Sequence, residues 1–221
     1  MRKCSHGLTL ALYMSIGHET VVNRPMTETI LNLAPSLGMR AKTALGKRNL
    51  VLVGLMGAGK SAIGRIVAQQ LGLPFVDTDT EIERVSRMTI AELFSAYGED
   101  EFRALETRVI KRLLRTGPRV VSTGGGAFIN EKTRKQIERG GLSVWLNADL
   151  DVLWERVNKR DHRPLLKTEN PKQTLKDLMD KRYPIYALAD ITVQSRDVRK
   201  EVIANEVLTS VIEHIGKDKT L

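Results

Sequence analysis

From Asn49 onward the chain alternates between short apolar runs and longer stretches with helical spacing of apolar positions. "NLVLVG" reads as a buried strand, and "KSAIGRIVAQQLG" as a helix closed by Gly72. "PFVDTD" predicts a second strand, followed by helical stretches around Thr80–Ser86, Thr89–Tyr97 and Asp100–Arg115. "RVVSTGGG" is a third strand running into glycines, and "INEKTRKQIERG" a helix. "LSVWLNA" gives a fourth strand and "DLDVLWERVNKR" another helix. A polar, proline-bearing stretch from Asp161 to Pro171 precedes the helix "KQTLKDLMDKRY", the short strand "DITV" and a final helix to about Ile215.

Strands separated by helices imply an α/β fold: a three-layer sandwich with a parallel sheet of about five strands and helices on both faces. In such sheets ligands gather beyond the carboxyl ends of the strands. The residues richest in chemistry fall at those ends: Gly54 to Ser61, Asp77 to Asp79, and Gly124 to Gly126.

Residues 1–46 break the pattern. They begin with basic residues and an apolar stretch from Leu8 to Ile16, interrupted by Thr9, Tyr13 and Ser15 and followed by no convincing small-residue cleavage site. They read as a weakly ordered N-terminal extension with a short amphipathic helix around Glu28–Leu33, ahead of a single domain over 47–221. No apolar run approaches the roughly 20 residues that span a bilayer. Cys4 is the only cysteine, so no internal disulfide can form, which suits a reducing compartment and a cytoplasmic location. The net charge of +9 raises the question of nucleic acid, but +5 of it lies in residues 1–48. No basic block is interleaved with aromatics, which make up only 5% of the chain. The balance fits anionic small molecules better than a nucleic-acid backbone.

"GLMGAGKS", Gly54 to Ser61, matches G-x-x-x-x-G-K-[ST] at a strand-to-helix junction, where the motif has a mechanism. Glycines let the backbone curl so that its N–H groups, and those of the helix start, point at phosphate oxygens. Gly57, Ala58, Gly59, Lys60, Ser61 and Ala62 are therefore the expected nucleotide contacts. Lys60 would neutralise the β- and γ-phosphates, and Ser61 would ligate Mg²⁺. This predicts a nucleoside triphosphate and leaves the phosphoryl acceptor open.

Three further clusters bear on the acceptor. In "DTD", Asp77 and Asp79 lie two apart at a strand end and share a face, so one can support a Mg²⁺ shell while the other takes a hydroxyl proton. The competing reading is a helix N-cap. "GEDEFRALE" sets Arg103 among acids, where an intrahelical ion pair is the plain alternative. "STGGGAF" carries three successive glycines that add no packing, which suggests close approach by a ligand. "RDHRPLL" and "DKRYPIY" add Arg163 and Arg182, whose planar guanidinium suits carboxylates and phosphates.

The ordered set "GLMGAGKS", "DTD", "EFR", "GGG", "RPLL" and "KRYPIY" resembles the shikimate kinase family, over roughly Asn49 to Ile215. The resemblance implies a small P-loop kinase like the nucleoside monophosphate kinases, with a helical substrate-binding segment and a lid at about 157–171. It implies transfer of the γ-phosphoryl group of MgATP to the 3-hydroxyl of shikimate, on the route to aromatic amino acids, by a monomer. By match, Asp79 would hold the ring hydroxyls and act as base, while Arg103 and Arg182 grip the carboxylate with a backbone donor from Gly125. Asp77 would support Mg²⁺ through water, Arg163 would reach the ATP phosphates from the lid, and Arg156 would lie near the adenine. Many members carry a second hydroxyl residue where this chain has Ala62, so a side-chain contact to the α-phosphate is lost.

Two rival readings are another small-molecule kinase of the superfamily, such as a gluconate kinase, and a catalytically silent nucleotide-binding module. The first has no need of an Arg103–Arg182 clamp for a cyclic acid. The second would tend to lose the lysine, the acid or the clamp, and Lys60, Ser61, Asp79, Arg103 and Arg182 are all present.

Overall fold

The structure is a computed structural model and describes residues 34–158 and 168–218. Its helices and strands, in chain order, are α1 (Leu37–Leu45), β1 (Asn49–Val53), α2 (Lys60–Leu71), β2 (Phe75–Asp77), α3 (Thr78–Ser86), α4 (Ile90–Arg115), β3 (Val120–Ser122), α5 (Glu131–Gly140), β4 (Gly141–Asn147), α6 (Leu150–Asn158), α7 (Pro171–Tyr186), β5 (Ile191–Gln194) and α8 (Lys200–Asp218). A 3-10 turn, Ala127–Ile129, joins β3 to α5.

The five strands form one sheet in the order β2-β3-β1-β4-β5, with every pairing parallel. This is the expected α/β architecture. The central strand β1 is buried along its whole length, as an unbroken apolar run covered on both faces should be. Leu50, Val51, Leu52 and Val53 meet Ile63 and Val67 of α2 and Val207, Leu208 and Val211 of α8 in one core. A smaller core of Ile82, Leu93, Phe102, Val109 and Leu113 holds α3 against α4.

Register sets the site. Asp77 pairs with Ser122, and Ser122 with Leu52, so β2, β3 and β1 end side by side and release their loops together. Beyond those ends lie the loop 54–59, the start of α3 and the glycines 124–126. The two helical stretches expected within 89–115 are continuous except at Gly98, whose φ of 77° is open to glycine and breaks the helix.

The N-terminal boundary differs from the sequence reading. Within the stretch read as extension, Leu37–Leu45 forms a helix capped by Ser36, with Gly38, Ala41 and Leu45 buried. It packs on α8 and α2, and the Gly38 Cα lies so close to the Gln70 carbonyl that a Cβ has no room. The unit containing the sheet therefore begins at Pro35, twelve residues before Lys47. The helix expected at Glu28–Leu33 lies outside the described residues, as do residues 159–167 of the expected lid, Arg163 among them.

Candidate active site

The loop between β1 and α2 owes its shape to three glycines at positive φ: Gly54 at 135°, Gly57 at 85° and Gly59 at 94°. Crowding reinforces the conformational need. A Cβ on Gly54 would lie 2.8 Å from the Leu146 carbonyl oxygen, and one on Gly57 2.8 Å from Val157. Lys60 opens α2, buried, and its Nζ donates to the carbonyls of Gly54 (2.8 Å) and Leu55 (2.9 Å). The ammonium is thus held inside the curl of its own loop.

The neighbouring Ser61 hydroxyl donates to Asp77 Oδ2 at 2.6 Å and lies 3.2 Å from the Ser122 hydroxyl. Three hard oxygen donors from α2, β2 and β3 meet at one strand edge, a set that suits Mg²⁺, which binds through few protein ligands and completes its shell with water and substrate phosphates. Among the described residues no cluster of three or more His, Cys, Asp or Glu side chains could enclose an ion on its own. The Ser61, Asp77 and Ser122 oxygens suit an ion whose shell is completed by water and nucleotide phosphates.

Asp77 is also the N-cap of α3, its Oδ1 accepting from the Asp79 N–H at 3.1 Å. The capping role that competes for Asp79 in the sequence falls instead to Asp77, and Asp79 sits in the first turn with its carboxylate free of the cap. Burial, followed by the Asp77 charge, raises the Asp79 pKa above its ordinary 3.8, with Lys60 and Arg103 opposing.

The three glycines after β3 each face charged side chains. A Cβ on Gly124 would lie 2.6 Å from Asp79 Oδ1 and 3.0 Å from Glu106 Oε1. One on Gly125 would lie 3.8 Å from Arg182 Nη1, and one on Gly126 about 2.5 Å from the Arg103 guanidinium. A side chain has no room at Gly124 or Gly126, whereas at Gly125 it would make ordinary contacts; this strip of backbone is lined by the Asp79 and Glu106 carboxylates and by two guanidiniums. Arg182, on the last turns of α7, donates to the Gly125 carbonyl at 3.1 Å. Arg103 reaches from α4, with Nη1 on Glu106 (2.9 Å) and Nε and Nη2 on Glu99 (3.2 and 3.1 Å). The intrahelical pairing raised as its plain alternative is real, and it coexists with a place in the site.

Arg156, on α6, binds the opposite end of the cradle. Its Nη1 donates to the Ser195 hydroxyl (2.9 Å) and the Gly57 carbonyl (3.3 Å), and its Nη2 to the Arg196 carbonyl (2.7 Å). Ser195 in turn donates to the Ala58 carbonyl at 2.9 Å, tying the β5–α8 loop to the phosphate loop. Gly57, Gly59, Lys60, Ser61, Ala62, Asp77, Asp79, Gly124, Gly125 and Arg156 all line one cleft of about 510 Å³. Ala62 brings no polar side chain to it.

Three contributors escaped the sequence reading. Glu106 is 1% exposed, its Oε2 paired with Arg103 and its Oε1 without a partner. Burial raises its pKa against the pull of Arg103. Its signal was its place three residues after Arg103, the helical spacing that makes such a pair. Ser122 was visible only as the residue before "TGGG", and Ser195 carried no signal at all.

The shikimate kinase family model matches residues 56–212. Shikimate kinase of Rhizobium leguminosarum bv. trifolii is 77% identical over 188 residues, covering 85% of this chain and 96% of the relative. That of Rhizobium meliloti is 69% identical over 86% of this chain and 98% of the relative. Among solved structures, shikimate kinase from Acinetobacter baumannii in complex with shikimate is 36% identical, with a TM-score of 0.74, over 78% of this chain and 97% of that one.

Proposed function

The chain belongs to the shikimate kinase family, and we propose that it transfers the γ-phosphoryl group of MgATP to the 3-hydroxyl of shikimate, giving 3-phosphoshikimate and ADP. The observation that carries this reading is the glycine strip: Asp79 against Gly124, Arg182 against Gly125 and Arg103 against Gly126. A small carboxylate with ring hydroxyls needs cations at one end and a hydrogen-bonding acid at the other, and the strip supplies them in that order.

Each residue's part follows from its surroundings. Loop N–H groups of Gly57, Ala58 and Gly59, with those of Lys60, Ser61 and Ala62 at the helix start, cradle the phosphates. Lys60, already held by carbonyls of its own loop, exchanges them for the stronger anionic acceptor. Ser61 would hold Mg²⁺ directly and Asp77 would support it through water, a placement that would supply charge neutralisation at the transferring group. Asp79 orients the acceptor hydroxyl and takes its proton as the oxygen bonds to phosphorus and the bond to the ADP oxygen breaks. Burial and the Asp77 charge raise the Asp79 pKa, which makes this carboxylate a better base than a solvated aspartate. Arg103 and Arg182, with the Gly125 backbone, hold the carboxylate, and Arg163 is assigned to the ATP phosphates from the lid segment. Arg156, bound to Gly57 and the β5–α8 loop, is assigned to the adenine side. The proposal extends to a monomer in the cytoplasm; no described helix is long and apolar enough to cross a membrane.

The test is ADP release by the purified chain with MgATP and a panel of acceptors. Shikimate should turn over at least a hundredfold faster than gluconate or a nucleoside monophosphate. Preference for gluconate would move the chain to the rival kinase reading, and nucleotide binding without transfer would make it a silent module.

A further inference from the structure

The α7 helix ends on Tyr186, a fully buried tyrosine whose hydroxyl reaches the substrate strip from behind. It donates to the Gly125 carbonyl, the same oxygen that accepts from Arg182 Nη1 at 3.1 Å. A carbonyl oxygen has two lone pairs, so these two donors saturate it. Burial pushes the Tyr186 phenol up to about 12, with the Arg182 charge opposing, so it carries its proton throughout the working pH range and can serve as donor. The ring itself is wedged between Phe128 (centroids 6.4 Å apart), Trp145 (6.1 Å) and Tyr183 (6.2 Å), which leaves the hydroxyl no freedom to swing away.

We infer that Tyr186 is a positioning residue for the acceptor carboxylate, acting through the Gly125–Gly126 peptide and the Arg182 guanidinium. The inference rests on the kinase reading above. A trans peptide points its N–H opposite its C=O, so a hydroxyl that pins the Gly125 oxygen also fixes the direction of the Gly126 N–H. Among the described residues no acceptor takes that N–H, nor that of Gly125. Between glycines such a peptide is free to rotate unless something holds it. Tyr186 holds it, and by sharing the acceptor it also sets where the Arg182 fork lies. Tyr183, three residues earlier on the same helix, makes the matching bond elsewhere: its hydroxyl donates to the Ala148 carbonyl, away from the strip.

The two tyrosines therefore supply their own control. Tyr186→Phe keeps the ring and its packing, and the Gly125 oxygen keeps Arg182 as a donor, so the fold is retained. The Michaelis constant for shikimate should rise roughly three- to tenfold, as expected when one fixed hydrogen bond is removed. The Michaelis constant for ATP should stay within twofold, and Tyr183→Phe should leave the shikimate constant within twofold. A merely structural hydroxyl would show otherwise: no change in Tyr186→Phe, equal rises for both substrates, or equal rises in both variants. Any of these overturns the inference. Loss of shikimate turnover in the unaltered chain would instead overturn the kinase reading, so the two failures are told apart.

Discussion

At the scale of single residues, Asp79 carries the heaviest assignment and the clearest pH signature. Its pKa lies above 3.8 because burial and Asp77 both disfavour its charge. As pH falls through that raised value the carboxylate gains a proton and can no longer accept one. The acid limb of kcat/KM, which reports the free enzyme, should therefore sit above 3.8, and a limb at or below it would contradict the assignment. Asp79→Asn should keep the thermal midpoint and lose turnover by about 10²–10⁴-fold. Lys60 and Ser61 are legible in the sequence because phosphate chemistry ties them to a spaced motif, whereas Asp79, in a pair that reads equally well as a helix cap, takes its role only from the family resemblance. Glu106 and Tyr186 are not legible. A glutamate three residues from an arginine looks like any helical ion pair, and a buried tyrosine looks like core until its hydroxyl is seen to end on Gly125.

At the scale of elements, the loop of glycines after β3 sets the spacing between acid and clamp. Gly124→Ala would drive a methyl group to within 2.6 Å of Asp79 Oδ1 and 3.0 Å of Glu106 Oε1. Both neighbours are backed by packed helices, so the carboxylate must shift. Turnover should fall by about 10²-fold, the scale of a misplaced catalytic group, while the Michaelis constant for ATP stays within twofold. The strands were legible from their apolar runs and the helices from their spacing and caps. The exception is α1. "LGMRAKTAL" spaces Leu37, Ala41, Ala44 and Leu45 as a helix does, but two of these are small alanines and Gly38 looks like a breaker; only the approach to the Gln70 carbonyl explains that glycine. Comparing chains that start at Ala34 and at Lys47 tests what this helix contributes. Losing the burial of Leu45 and Ala41 should cost on the order of 3 kcal/mol, lowering the thermal midpoint by roughly 6–12 °C. Equal midpoints would show that α1 adds nothing to the fold.

At the scale of the whole molecule, a parallel sheet gathers groups that are far apart in the chain. Lys60, Asp79 and Gly125 come together because β1, β3 and β2 are neighbours and end level, and α4 and α7 bring Arg103 and Arg182 to the same glycines. That the sheet was parallel followed from the alternation of elements. Its order, with β3 inserted between β1 and β2, did not, because strand neighbours are chosen by tertiary packing that no local pattern records. The family resemblance reached the same residues by another route. The proposed kinase activity requires shikimate to lie along the glycine strip, with its carboxylate on Arg103 and Arg182 and its 3-hydroxyl facing Asp79. A crystal structure of the chain with shikimate and a non-hydrolysable ATP analogue measures that place directly. The carboxylate should be within hydrogen-bond distance of both guanidiniums; a carboxylate bound elsewhere, or touching neither arginine, would contradict the account.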